Sequence, residues 1–162
     1  MIVLGIDPGT RHLGWGVVQT RGTRITYLAH GVVSTTVGVA LEQRLLELDD
    51  ALALMIAEVG PAHAAVESIF FAKDAQAAGK LGHARGVVLL RLARAGLAVA
   101  EYAPAQIKRA VTGSGRADKR QVAQMIATVL GLASAPPTDA ADALAVAVTH
   151  ARTLGLPALL RG

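Results

Sequence analysis

Apolar positions open the chain without a break: Ile2-Val3-Leu4-Gly5-Ile6 runs straight into Asp7 and then Pro8-Gly9. A short continuous run rich in aliphatic and β-branched residues, closed by turn residues, has the signature of a strand buried on both faces. Two more strand-like runs, Trp15 to Thr20 and Arg24 to Ser34, are joined through Arg21-Gly22-Thr23 and predict a hairpin, so the first three strands should be sequential antiparallel neighbours. The period then changes. Leu41, Leu45, Leu48, Leu52, Met55, Ile56 and Val59 recur at helical spacing and predict a helix over 39–59, stopped by Gly60-Pro61, with Glu42, Glu47, Asp49 and Asp50 on a solvated outer face. Ala62 to Glu67 reads as a short buried strand that ends, like the first, in a carboxylate.

From Asp74 to about Ala95 the pattern is helical again, but its first half is dense in small residues: Ala75, Ala77, Ala78, Gly79, Gly82, Ala84 and Gly86. Each Gly costs a helix up to about 1 kcal/mol relative to Ala, so three in one helix point to close approach by another helix. The following Val87, Val88, Leu89, Leu90 and Leu92 are apolar around much of the circumference, which fits either a subunit interface or a tightly packed core helix. Leu97 to Tyr102 predicts a strand, Pro104 to Val111 a helix, and Thr112-Gly113-Ser114-Gly115 a loop. Val122, Met125, Ile126, Val129 and Leu130 mark a helix that starts near Asp118 and stops at Gly131. Thr138 is placed to cap a last helix from Asp139 to about Leu154, closed by Gly155 and Pro157. The order β-β-β-α-β-α-β-α-α-α predicts an α/β fold, a mixed five-stranded sheet with helices on both faces, in one domain over 1–155 with a short tail at 156–162.

At 162 residues and 52% hydrophobic content the chain can fill one core, and nothing calls for a second domain. Its net charge of +4 favours a polyanionic partner, and the distribution says more than the total. Residues 73–120 carry ten basic and three acidic side chains, +7, against −3 for the remainder. That is the split expected of a phosphate-binding surface beside a carboxylate cluster, and also of helices with charged solvent faces. The absence of Cys excludes disulfide and thiolate chemistry. With no basic-then-apolar leader and no apolar run of spanning length, the expectation is a soluble cytoplasmic protein without a membrane partner.

Four acids lie in apolar surroundings: Asp7 and Glu67 end strands, and Asp139 and Asp142 open a helix. Three residues apart, the last two share one face of the first helical turn, where the helix dipole also favours acids. Asp7 alone fits a turn cap as well as a ligand. Four converging carboxylates would repel one another unless cations sat between them. Oxygen-only ligands select hard ions such as Mg²⁺ or Mn²⁺, and two such ions can promote phosphodiester cleavage.

These residues carry a resemblance. The chain resembles the RuvC family of Holliday-junction resolvases, with the ribonuclease H-like fold, through Leu4-Gly5-Ile6-Asp7-Pro8-Gly9-Thr10, Glu67 followed by Phe70 and Ala72-Lys73, Lys80-Leu81-Gly82 with Ala84-Arg85-Gly86, Glu101-Tyr102-Ala103-Pro104, and Asp139-Ala140-Ala141-Asp142-Ala143-Leu144-Ala145. The resemblance implies that Asp7, Glu67, Asp139 and Asp142 are the catalytic metal-binding acids, holding Mg²⁺ or Mn²⁺ as two ions per site. Some relatives have His in place of Asp139. It also implies a homodimer, here expected through the helix with Gly79, Gly82 and Gly86, a four-way DNA junction as substrate, symmetric nicks in recombination and repair, partnership with RuvA and RuvB, and a bacterial, nucleoid-associated location. Phe70 is expected to stack on or between junction bases while Phe71 packs inside, although a loop between strand and basic helix also allows both to be core residues.

Lys108 and Lys119 match basic positions that the family uses near the scissile strand. Arg85, Arg109, Arg116 and Arg120 are candidates for DNA backbone contacts, and a solvated role suits any one of them equally. Lys119 and Arg120 open a helix, where the dipole disfavours cations and a bound phosphate would offset the cost. His150 is expected to be a cation at a helix C-terminus. Gly-Ile-Asp-x-Gly-Thr also opens the phosphate hairpin of actin-like ATPases, but these need a second lobe that 162 residues without a matching repeat cannot supply. A YqgF-like RNA-processing nuclease and a non-catalytic junction-binding module remain as alternatives.

Overall fold

The computed structural model describes residues 1–68 and 75–159, the last four by backbone alone. Its elements follow the predicted order: β1 (Ile2–Asp7), β2 (His12–Arg21), β3 (Arg24–Ser34), α1 (Leu41–Val59), β4 (His63–Glu67), α2 (Ala75–Arg94), β5 (Ala98–Tyr102), α3 (Pro104–Thr112), α4 (Lys119–Leu130) and α5 (Thr138–Leu159). The sheet order is β3-β2-β1-β4-β5, antiparallel on the hairpin side and parallel from β1 through β4 to β5.

Strand alternation decides which side chains face which helices. On β1, Leu4 and Ile6 join the apolar cluster beneath α1 and α2, whereas Val3 belongs to the cluster beneath α3, α4 and α5. On β4, Ala64 and Val66 join the first cluster and Ala65 the second. Asp7 and Glu67, each two residues beyond the last position on the α5 side, therefore continue toward α5.

Helix α5 reaches that side through glycine. A Cβ at Gly5 would collide with the Ala143 carbonyl, one at Gly14 with the Asp139 carbonyl, and one at Gly16 with the Leu144 side chain. The missing side chains let α5 lie directly on β1 and β2, and its residues Ala140, Ala141, Ala143, Ala145 and Ala147 are buried against them. In α1, Leu48, Leu52 and Met55 recur at helical spacing and pack against Ala84, Val88 and Leu92 of α2.

Several local expectations change. Helix α5 begins at Thr138 itself, which is helical and so is not the cap, and continues through Gly155 and Pro157 to Leu159. A proline disturbs a helix through the carbonyl four residues earlier, so it ends one only if the preceding turn has little else to hold it. The outer face of α1 is not wholly solvated. Asp49 accepts two hydrogen bonds from the Arg91 guanidinium of α2, one of them at 2.7 Å, and Arg91 holds its carboxyl below the usual range. Glu47 accepts from the Thr36 amide at 2.8 Å. Of the small residues of α2, Ala84 is buried against α1, whereas a Cβ at Gly79, Gly82 or Gly86 would have no neighbour within 4 Å among the described residues. Close packing against the described residues therefore does not account for these glycines.

Candidate active site

Asp7 ends β1 opposite Gly14, and Glu67 ends β4 one residue past the pair Ile6↔Val66. Gly14 is also where the Asp139 carbonyl lies against the sheet. The start of α5 is thereby held over the ends of β1 and β2, with Asp139 and Asp142 at its outer edge and Ala140 and Ala141 buried beneath. All four acids are half-buried.

Charge is concentrated enough here to alter protonation. The Asp7 carboxyl is pushed up from 3.8 to about 7, first by burial and then by the negative charges of Asp142, Glu67 and Asp139, with Lys119 opposing. Burial and Asp142 likewise push Glu67 up, against Lys119 and Lys108. One cation already answers this charge: Lys119 Nζ donates to Asp142 Oδ2 at 2.9 Å, and this bond holds the ammonium above its ordinary value. The cost of a cation at the N-terminus of α4 is thus offset by Asp142, where a bound phosphate was expected. Asp118 caps the same turn, accepting from the Gln121 amide at 2.8 Å, while the Gln121 side chain accepts from the Asp118 amide at 2.9 Å.

A cavity of about 230 Å³ opens beside these groups, lined by Glu67 and Asp142, Lys108 and Lys119, and the apolar Pro104, Ile107, Val122 and Ala145. A larger one, about 510 Å³, lies between α4 and the 112–117 loop and has Arg116 but none of the four acids. Chemistry rather than volume marks the first as the candidate active site. Among the described residues, no three His, Asp or Glu side chains stand ready to hold a metal ion. The fit to a metal is nevertheless good in donor chemistry. The candidate donors are oxygens only, and their mutual repulsion at Asp7 is the charge imbalance that a hard divalent cation would relieve.

Behind the site stands a residue whose role the spacing concealed. The Arg85 guanidinium donates to the Glu67 carbonyl at 2.5 Å and pairs with Glu101, and its side chain is only 12% exposed. It ties α2 to the ends of β4 and β5 instead of facing solvent, so the DNA contact expected of it has no free guanidinium to make it. Arg109, Arg116 and Arg120 are exposed and Lys108 is half-buried. His150 is corrected too. It is buried well inside α5, with Nδ1 2.8 Å from the Tyr102 hydroxyl and its ring against His63. Burial and His63 lower its pKa, favouring the neutral ring. Phe70, Phe71 and Lys73 lie outside the described residues.

Two signals for this geometry were present in the sequence. Glycines inside strands, at Gly5, Gly14 and Gly16, mark close backbone approach. A cation directly after a capping aspartate, as at Asp118-Lys119, needs a negative partner from elsewhere.

A sequence profile described as "Crossover junction endodeoxyribonuclease RuvC" matches residues 3–150. The chain belongs to the RuvC family. The crossover junction endodeoxyribonuclease RuvC of Sorangium cellulosum is 58% identical over 160 residues, covering 99% of this chain and 89% of that protein. Its counterpart in Azorhizobium caulinodans is 49% identical over 98% of this chain and 94% of its own length. A solved structure of T. thermophilus RuvC in complex with Holliday junction substrate superposes with a TM-score of 0.89 at 38% identity, covering 97% of this chain and 96% of that one. The yeast mitochondrial Holliday junction resolvase Ydc2, at 11% identity and a TM-score of 0.71, shares the fold.

Proposed function

We infer that this RuvC-family chain is a metal-dependent endonuclease that resolves four-way DNA junctions in recombination and repair, with Asp7, Glu67, Asp139 and Asp142 holding two Mg²⁺ or Mn²⁺ ions. The observation that carries the site assignment is Asp7, pushed to about 7 by burial and by the charge of the three other acids. Acids without such a task are seldom gathered so closely. When bound, hard divalent cations supply Lewis-acid stabilisation of the oxygens that gain negative charge during phosphodiester hydrolysis. The carboxylates hold and space the ions. Lys119, already paired with Asp142, and Lys108 across the same cavity place positive charge where a DNA phosphate would enter. Arg85 orients the Glu67 backbone from behind.

Arg109, Arg116 and Arg120 contact backbone phosphates in this reading, and Phe70 stacks against junction bases. Two cuts require two sites, which a two-fold homodimer supplies. The open face of α2, with Gly79, Gly82 and Gly86 flanked by the exposed Leu81 and Leu90, suits contact with a second copy. RuvA and RuvB are the partners that the family resemblance implies, with a location in the cytoplasm at the nucleoid. The family match favours this reading over an RNA-processing nuclease. The experiment is cleavage and binding of a four-way junction, with and without Mg²⁺ or Mn²⁺, by the wild type and by Asp7→Asn, Glu67→Gln, Asp139→Asn and Asp142→Asn. Each variant should lose cleavage by orders of magnitude while still binding, since affinity comes mainly from phosphate contacts. Full cleavage by any one variant at saturating metal removes that residue from the site.

A further inference from the structure

A third cavity, also about 230 Å³, is lined by Arg11, His12, Thr35, Thr36, Val37, Gly38, Val39 and Arg44. It has no acidic side chain in its wall and three basic ones. Its least ordinary feature is Arg44: the Nε is fully enclosed, yet it has no hydrogen-bond partner. Leaving a buried guanidinium nitrogen unbonded is costly, and native proteins seldom tolerate it without a ligand or water. Glu47, one turn further along α1, is engaged by the Thr36 amide and forms no ion pair with Arg44. Among the described residues, then, no acceptor meets the enclosed Nε of Arg44. The α1 N-terminus beside it adds amide donors, since Ala40 at the cap position offers no side-chain acceptor. Glu42 stands in the first turn of α1 but does not line the cavity.

The cavity is also tied to the catalytic turn. Thr35 donates its hydroxyl to the Thr10 carbonyl at 2.9 Å and its amide to the Arg11 carbonyl at 3.0 Å. Residues 8–11 lead directly from Asp7 into this wall, and His12, paired with Ser34, lies two residues before Gly14, the cross-strand partner of Asp7. Arg11 and His12 are exposed at the rim while Arg44 stands half-buried within.

We propose that this cavity, with Arg44 in its wall and Arg11 and His12 at its rim, seats a phosphate group, and that its natural occupant is a phosphodiester of the junction strand running past the β1–β2 turn. The source is DNA rather than a free anion because the wall adjoins the turn that follows Asp7 and its rim cations, Arg11 and His12, are exposed. This identification of the occupant rests on the junction-resolving reading. The seat itself rests only on Arg44 and its surroundings.

The test uses Arg44→Met, which keeps the stem and removes the charge, and Arg44→Lys, which keeps the charge. Thermal melts with inorganic phosphate test the seat: phosphate should raise the melting temperature of the wild type more than that of Arg44→Met. Without phosphate, Arg44→Met should melt at or above the wild type, because an unpaired buried group is gone; a clear fall would mark Arg44 as a structural residue and overturn the seat. Junction binding as a function of salt tests the occupant. Arg44→Met should bind about ten-fold more weakly at low salt, with a log–log salt slope shallower by about 0.9, and Arg44→Lys should restore most of the slope. Phosphate protection with an unchanged slope would mean a free-anion site and overturn the DNA assignment. No difference in either measurement overturns the whole proposal. Failure of the junction-resolving reading would be seen separately, as a wild type that does not cut junctions while phosphate still protects it.

Discussion

Lys119 Nζ sits 2.9 Å from Asp142 Oδ2, so a lysine and a carboxylate of the candidate site neutralise each other beside the acid cluster. The pair joins the first turn of α4 to the first turn of α5, and Lys119 is 70% exposed while Asp142 is 19% exposed. Exposed pairs contribute little stability, typically under about 1 kcal/mol. The consequence is electrostatic: the same ammonium lowers the pKa of both Asp7 and Glu67.

Lys119→Met should therefore move the acid limb of the cleavage pH profile toward higher pH, because Asp7 and Glu67 lose the cation that favours their ionised forms. The check is cleavage rate against pH at fixed, subsaturating metal. A lower rate with an unmoved limb would leave Lys119 with a role in DNA contact alone.

Asp7 sets a stability contrast whose sign is opposite to that of an ordinary paired acid. Its folded pKa, about 7, lies above the unfolded value of 3.8, so the folded state binds the proton more tightly. Stability from this group is full below the unfolded value and is lost as pH rises to about 7. Without divalent metal at pH 8, Asp7→Asn should be more stable than the wild type by on the order of 2 kcal/mol, or roughly 4–8 °C in melting temperature. The gap should close near pH 4, and Mg²⁺ or Mn²⁺ should stabilise the wild type more than the variant. Calorimetry at the two pH values decides it.

Gly14→Ala should abolish most cleavage at temperatures where the protein is still folded. A Cβ there meets the Asp139 carbonyl, a backbone atom that cannot rotate away, so the start of α5 must lift. Displacing reacting groups by about 1 Å can cost about 100-fold in rate. Circular dichroism beside cleavage assays separates displacement from unfolding; a folded variant with wild-type rate would show that α5 has room to spare.

Gly86→Leu tests the proposed dimer. Among the described residues nothing lies within 4 Å of a Cβ added there, so the folded subunit should tolerate the change and the objection should come from a partner. The expected result is a shift from dimer to monomer in sedimentation, with loss of paired cuts on a junction. A variant that stays dimeric and cuts both strands would move the interface elsewhere.

Apolar patterns together with Gly, Pro and cap signals were enough to place all ten elements: the pattern is unbroken at Ile2–Ile6 and helical at Leu48, Leu52 and Met55, and Pro104 opens α3. The four acids were legible for a related reason, since each stands where an apolar pattern ends or begins. What stayed hidden depends on partners distant in the chain. Arg85 looked like a surface cation until the fold brought it to the Glu67 carbonyl, 18 residues back. Asp49 looked solvated until Arg91, 42 residues on, reached it. His150 looked like a helix-end charge because Gly155 and Pro157 read as stops, whereas α5 continues past both.

The bare backbone contact of α5 with Gly5 and Gly14 has a wider bearing on how the site is kept. Where two elements meet through side chains, every repacking of those side chains shifts their spacing a little. Here main chain rests on main chain, and the spacing behaves like a machined datum: it is either intact or lost. Core substitutions that leave the two glycines alone should thus erode melting temperature gradually while the geometry of the acids holds, which gives the candidate site a tolerance to drift that its neighbours in the core do not share.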